Sequence, residues 1–185
     1  MKRITAFLIS LVLLLTLCAC QKAEGDKSNI DTISTEAGQS IGEYKPSYSF
    51  SLTWGTYGYS SYDSVSKKLI KSKDATNPDD YTTKLELNMQ QYSEIWRLIS
   101  DLDIESYPDK YNPHGNGVST PYMTLILSVK SDDIDKTVTV EETMLSYDAN
   151  NKKGQKFLDV CKGIEEILTE TNEWKSLPEY EFLYD

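Results

Sequence analysis

Alternating polar and apolar residues predict the strands of this chain. In residues 47–54, serine and threonine alternate with Tyr48, Phe50, Leu52 and Trp54. A period of two places those four side chains on one face of a half-buried strand. Residues 61–64 and 68–72 are expected to form two short strands around a tight turn, and alternation predicts further strands at residues 81–87, 123–129 and 138–140. The last two are joined by an acidic turn and are expected to form a hairpin.

Two segments have the wider apolar spacing of amphipathic helices. The first covers residues 90–102, with Asn88 as its N-cap and Gln91 three positions later, as in a capping box. The second covers residues 152–170. Strands followed by a helix, a hairpin and a helix favour an α+β fold. We expect one mainly antiparallel sheet of five to six strands with two helices packed on one face.

The first twenty residues have the pattern of an export signal. Lys2 and Arg3 precede an apolar run that ends in Leu17-Cys18-Ala19-Cys20. The run is shorter than the ~20 apolar residues that a membrane-spanning helix needs. Its ending resembles the lipobox of bacterial lipoproteins, which implies that Cys20 is lipidated and becomes the first residue of the mature chain. The alternative is an ordinary cleaved signal that contains cysteines by chance.

This resemblance implies a domain order and a location. Residues 1–19 would be a signal peptide, and residues 20–46 the lipidated N-terminus and a flexible linker, since no apolar period is sustained there. Residues 47–185 would form a single α+β domain, held at the outer side of the cell membrane by acyl chains on Cys20. The rest of the chain resembles no family of known function.

The net charge and the cysteine content exclude two features: binding to nucleic acid and an intramolecular disulfide. Loss of Lys2 and Arg3 with the leader changes the net charge from −10 to −12. Such an acidic chain is not expected to bind nucleic acid, which favours basic surfaces. With Cys18 removed and Cys20 lipidated, Cys161 has no partner for an intramolecular disulfide.

Catalytic and metal-binding motifs are scarce. His114 is the single histidine, and Cys161 lies on the apolar side of the second predicted helix, which disfavours a dyad between them. No G-x-S-x-G or phosphate-binding glycine motif occurs. The acidic runs at 101–105 and 132–135 lack the spacing of a calcium-binding EF-hand loop and are interpreted as solvated turns. No cofactor and no metal site are predicted.

Aromatic residues in two predicted loops form the candidate binding site. The first loop covers residues 54–62 and the second covers residues 107–121. The aromatic residues lie among glycine, serine and asparagine, the composition of protein-binding loops. The candidate residues are Trp54, Tyr57, Tyr59, Tyr62, Tyr111, Asn112, His114 and Asn116. The sequence therefore favours a protein- or peptide-binding module. The alternatives are ordinary packing of these rings, a hydrolase of envelope material that uses carboxylates, and a structural envelope lipoprotein.

The lysines at 67–73 and the C-terminal segment also lead to structural predictions. Lys67, Lys68, Lys71 and Lys73 are interpreted as edge-strand lysines, with a basic spot for an acidic partner as the alternative. The C-terminal segment is rich in aromatic residues and is expected to pack back onto the domain. Its apolar residues are Trp174, Leu177, Tyr180, Phe182 and Tyr184.

Overall fold

The computed structural model describes residues 47–179. The predicted signal peptide, Cys20, the predicted linker and the residues Tyr180, Phe182 and Tyr184 lie outside the described residues. The described part contains one six-stranded sheet in which all neighbouring strands are antiparallel, in the order β4-β3-β2-β1-β5-β6. The strands are β1 (Ser49–Trp54), β2 (Ser60–Asp63), β3 (Lys68–Ile70), β4 (Thr82–Lys84), β5 (Met123–Lys130) and β6 (Asp135–Thr143).

Two main helices complete the fold and confirm the predicted α+β class. They are α1 (Met89–Leu102) and α2 (Lys152–Thr169), followed by the short α3 (Asn172–Ser176). Helix α1 begins with the predicted capping box: Asn88 Oδ1 accepts from the Gln91 backbone N–H at 2.9 Å, and Gln91 Oε1 accepts from the Asn88 N–H at 2.9 Å. Helix α2 is capped by Asn151, whose Oδ1 accepts from the Gly154 N–H at 2.8 Å.

The core lies between the helices and one face of the sheet. Phe50, Leu52 and Trp54 of β1 point into it, and the strand register places Leu52 between Tyr62 of β2 and Leu127 of β5. Helices α1 and α2 contact each other, and α2 also contacts β1. The period-two pattern of the sequence therefore marked the buried face correctly.

The strand predicted at 81–87 is shorter than expected. Residues Pro78–Tyr81 form a 3-10 helix, and β4 covers Thr82–Lys84 alone. Beyond β4, the Leu85 N–H donates to the Lys67 carbonyl at 2.8 Å, which continues the β3–β4 register by one residue before the chain leads into α1. Leu85 is buried in the core.

The register brings three chain segments to one end of the sheet. Met123 at the start of β5 pairs with Thr143 at the end of β6, and it also forms a bridge with Thr56, just after β1. This end of the sheet therefore carries three segments, residues 55–59, 111–122 and 144–149, and we call it the loop end. Ser47, the first described residue, lies at the opposite end of β1.

Candidate functional site

Three tyrosines join the two loops that the sequence singled out. The Tyr57 N–H donates to the Tyr122 carbonyl at 3.0 Å. The Tyr57 ring packs edge-on against Tyr122 with centroids 4.5 Å apart, and its centroid is 5.5 Å from that of Tyr59. All three side chains are partly exposed. We call Tyr57, Tyr59 and Tyr122 the tyrosine cluster. Tyr122 was not among the candidate residues, although it directly follows the second predicted loop, residues 107–121.

Residues 55–59, which carry Tyr57 and Tyr59, pack closely against strands β1 and β5. Tyr57 has a φ of 52°, in the left-handed region, which costs a residue with a side chain about 1–2 kcal/mol. The next residue, Gly58, has a φ of 63°, and a Cβ there would lie 3.0 Å from Thr53 Cγ2 and 3.2 Å from Thr124 Cβ. Glycine is therefore required at position 58, and the compact loop holds the tyrosine rings in fixed positions.

An exposed apolar group lies on the same end of the sheet. Val118, Met144 and Leu145 are 69%, 39% and 50% exposed. Ser119 ties their two segments together, because its Oγ accepts from the Leu145 N–H at 2.9 Å and donates to the Pro121 carbonyl at 2.7 Å. We call Val118, Met144 and Leu145 the apolar tip. Sequence reasoning missed it; the available signal was apolar residues in turn segments that have no strand or helix period.

His114 is an internal support of this loop. Its side chain is 3% exposed, and its Nδ1 lies 2.6 Å from Thr143 Oγ1. The Thr143 hydroxyl donates to Asn112 Oδ1 at 2.9 Å, so its oxygen accepts from the Nδ1–H group of His114. The other ring nitrogen, Nε2, is buried and has no hydrogen-bond partner within residues 47–179. The network fixes the second loop to the end of β6, and the buried His114 is not available to a surface partner.

Two other candidate residues belong to the core. Trp54 and Tyr62 point to the helix-covered face of the sheet and are almost fully buried. The Tyr62 hydroxyl donates to the Leu85 carbonyl at 3.3 Å, and burial raises the pKa of Tyr62. The Trp54 ring packs against Trp174 of α3, with centroids 5.5 Å apart. Trp54 and Tyr62 were therefore wrongly predicted as binding residues, because both side chains are buried in the core.

The remaining candidates stay at the surface. Tyr111 is half-buried, with its ring 5.3 Å from that of Tyr107, and it lines a hollow of about 240 Å³ together with Asn112. Asn116 is exposed. The structure thus brings Tyr57 and Tyr59 together with Tyr122, while Tyr111 and Asn112 lie beside the edge of β6, where the Tyr111 N–H donates to the Thr139 carbonyl at 2.9 Å.

A buried polar pair holds the segment after the apolar tip. The Tyr147 hydroxyl donates to Glu165 of α2, and the Tyr147 carbonyl accepts from Gln155 Nε2 at 2.9 Å. Gln155 Oε1 in turn accepts from the Ala149 N–H at 2.8 Å. Burial raises the pKa of the Glu165 carboxyl and, together with the Glu165 charge, that of the Tyr147 phenol. These bonds fix residues 147–149 to α2.

Glu165 makes the stability of the domain depend on pH. Because its folded pKa lies above the ordinary value of 4.5, its contribution is present at low pH and is lost as the pH rises through the folded pKa. We expect the stability of Glu165→Gln relative to the native protein to increase from about pH 4 to about pH 7. Urea unfolding at both pH values measures this. Glu94→Gln at an exposed position on α1 is the control, and equal pH dependence in both variants would contradict the assignment.

The lysines of the β3 region have different roles from the one expected. Strand β3 lies between β2 and β4, so its lysines do not guard a sheet edge. Lys71 is buried and donates to the Leu177 carbonyl at 3.3 Å and to Glu179 Oε1 at 2.5 Å. Its Nζ also lies 5.3 Å from the centre of the Trp174 ring. Lys71 therefore fastens the described part of the C-terminal segment, which packs back on the domain as predicted.

A larger cavity lies at the opposite end of the sheet, where the described chain begins. It has a volume of about 900 Å³ and is lined by Ser47, Tyr48, Leu87 and Tyr92, with the exposed Val65 and Met89 at its rim. Its two lysines already take part in ion pairs, Lys67 with Glu86 at 3.3 Å and Lys130 with Asp135 at 2.8 Å. The cavity therefore offers apolar surface but no uncompensated positive charge.

Cys161 is fully buried in the core, and burial raises the pKa of its thiol. Within residues 47–179, no group of three histidine, cysteine or acidic side chains is arranged to hold a metal ion. No helix in the same range has the length and apolar character needed to cross a membrane.

Comparison with known proteins finds no matching family model and no matching curated sequence. The loop end itself must therefore support any functional conclusion.

Proposed function

We propose that this protein is a lipid-anchored extracytoplasmic module that binds a protein or peptide through its loop end. The observation that carries the proposal is that the tyrosine cluster and the apolar tip lie at the same end of the sheet. Tyrosine supplies large amphipathic contact area at a low cost in side-chain entropy. Exposed apolar groups with a polar surround are typical of interaction sites.

The path of the chain supports this arrangement. The described domain begins at Ser47, and the six residues of β1 rise by roughly 3.3 Å each, which separates the two ends of the strand by about 20 Å. The proposed tether would therefore join the domain about 20 Å from the loop end.

The proposal is tested by crosslinking the native, anchored protein in its own membrane and recovering it with its partners. Two double variants remove the site: Tyr57→Ser with Tyr59→Ser, and Met144→Ser with Leu145→Ser. We expect a crosslinked partner of the native protein to be lost in both. The matched control is Val65→Ser with Met89→Ser, which removes exposed apolar side chains at the opposite end and is expected to retain the partner.

Three outcomes would overturn the proposal. The first is the absence of any crosslinked partner of the native protein. The second is the same set of partners in every variant. The third is loss of the partner in the control alone, which would assign binding to the cavity at the Ser47 end. Urea unfolding of each variant establishes that a lost partner reflects a lost surface and not a lost fold.

A further inference from the structure

We propose that the partner presents a basic amphipathic segment, in which lysine or arginine side chains flank an apolar anchor. This inference rests on the proposed function and defines the chemistry of its partner. Three exposed acidic residues, Glu141, Glu142 and Asp148, flank the Met144–Leu145 part of the apolar tip in the chain. Glu141 and Glu142 lie just before Met144 in the chain, and Asp148 lies three residues after Leu145.

The three carboxylates have no cationic partner in the described domain. None of the ion pairs found within residues 47–179 involves them. Lys110 lines the same hollow as Glu141 without forming an ion pair with it. Lys153, near the start of α2, donates to the Ser106 carbonyl at 2.7 Å and lies 4.5 Å from the centre of the Tyr107 ring. The three carboxylates beside the apolar tip therefore lie outside the ion pairs found in the described residues.

An apolar centre with a charged rim defines its complement. A few well-packed side chains near the centre of an interface supply most of the binding free energy, whereas rim charges select the partner and accelerate its association. A segment with positive charges around an apolar residue would bury the apolar tip and neutralise the three carboxylates. An anionic partner would place like charges opposite each other, which costs affinity and specificity.

The test uses the full-length, lipidated protein in detergent and a labelled synthetic peptide. The probe is an amphipathic helix of leucine and lysine, about five turns long. The comparison peptide has every lysine replaced by glutamine. We expect saturable binding of the lysine peptide, measured by fluorescence anisotropy, and weaker binding at high salt, because rim charges are screened. The glutamine peptide is expected to bind at least about tenfold more weakly.

A matched pair of triple variants assigns this effect to the rim. Glu141→Gln, Glu142→Gln and Asp148→Asn together remove the three charges beside the apolar tip. The control combines Glu94→Gln, Asp101→Asn and Glu105→Gln, which make the same change in net charge at exposed positions on or just after α1. We expect about a tenfold loss of peptide affinity in the rim variant and less than about a twofold loss in the control.

The inference and the proposed function can fail separately. No saturable binding of the lysine peptide, equal binding of the glutamine peptide or equal losses in both triple variants would overturn the basic-partner inference. If the rim variant also kept the native crosslinked partner while the Tyr57/Tyr59 double variant lost it, the binding module would stand with a partner of different chemistry. If neither variant affected the native partner, both proposals would fail.

Discussion

Replacing Cys20 by alanine is expected to remove the protein from the membrane. In the proposed anchor, two or more acyl chains on Cys20 supply the membrane affinity, at about 0.8 kcal/mol for each buried CH₂ group. Without the thiol no lipid can be attached at this position. Fractionation of the membrane and mass spectrometry of the mature N-terminus measure the result. We expect the native protein to remain with the membrane and the variant to be released, or to retain its uncleaved leader.

Cys18→Ala is the matched control for this experiment. Cys18 lies two positions before Cys20 in the same segment and would leave with the leader, so its replacement should not affect attachment. A Cys20→Ala protein that still carries lipid would overturn the proposed anchor. Release of the Cys18→Ala protein would show instead that the segment tolerates no change, and the assignment of the lipid to Cys20 would lose its support.

Local features of the domain could be predicted from the sequence because their causes are local. The alternation of residues 48–54 is a property of one strand, and it marked the buried side of β1 correctly. The capping box joins Asn88 and Gln91, only three residues apart. The same alternation also placed Trp54 on the buried face, so its selection as a binding residue gave more weight to aromatic character than to the strand pattern.

The candidate site was harder to predict because its parts are distant in the chain. The contact between Tyr57 and Tyr122 requires β5 to pair with β1. The pattern of apolar and polar residues does not reveal that strand order. The apolar tip brings Val118 together with Met144 and Leu145, which lie in two separate turn segments of the chain. Neither segment has a strand or helix period from which the contact could be predicted. The role of His114 depends on Thr143, which is 29 residues away.

The supports beneath the loop end have a consequence for binding. His114 fixes the second loop to β6, Tyr147 fixes the following segment to α2, and Ser119 links the two. A surface that is already ordered loses less conformational entropy when a partner binds. Substitutions in these supports should therefore weaken binding even where they do not touch the partner.

Gly154→Ala is expected to destabilise the domain, although alanine is the better helix former. Gly154 lies in the first turn of α2, where alanine would ordinarily stabilise the helix by up to about 1 kcal/mol. Its Cβ, however, would lie 2.8 Å from the Pro113 carbonyl oxygen, 3.1 Å from Pro113 Cα and 3.0 Å from Ala149 Cβ. Relief requires movement of the backbone just before His114. We expect a net loss of about 1–3 kcal/mol in the free energy of unfolding, measured with urea.

Gly163→Ala, in the same helix, separates this clash from the general effect of alanine. A Cβ at Gly163 would meet Leu98 Cδ1 at 2.9 Å, but that atom is the end of a flexible side chain and can move aside. This variant is expected to be near neutral or slightly stabilising. Because Gly154→Ala displaces the loop that His114 supports, it should also weaken capture of the crosslinked partner, whereas Gly163→Ala should not. Equal stability of the two variants would show that the second loop is not held against α2 in the way described.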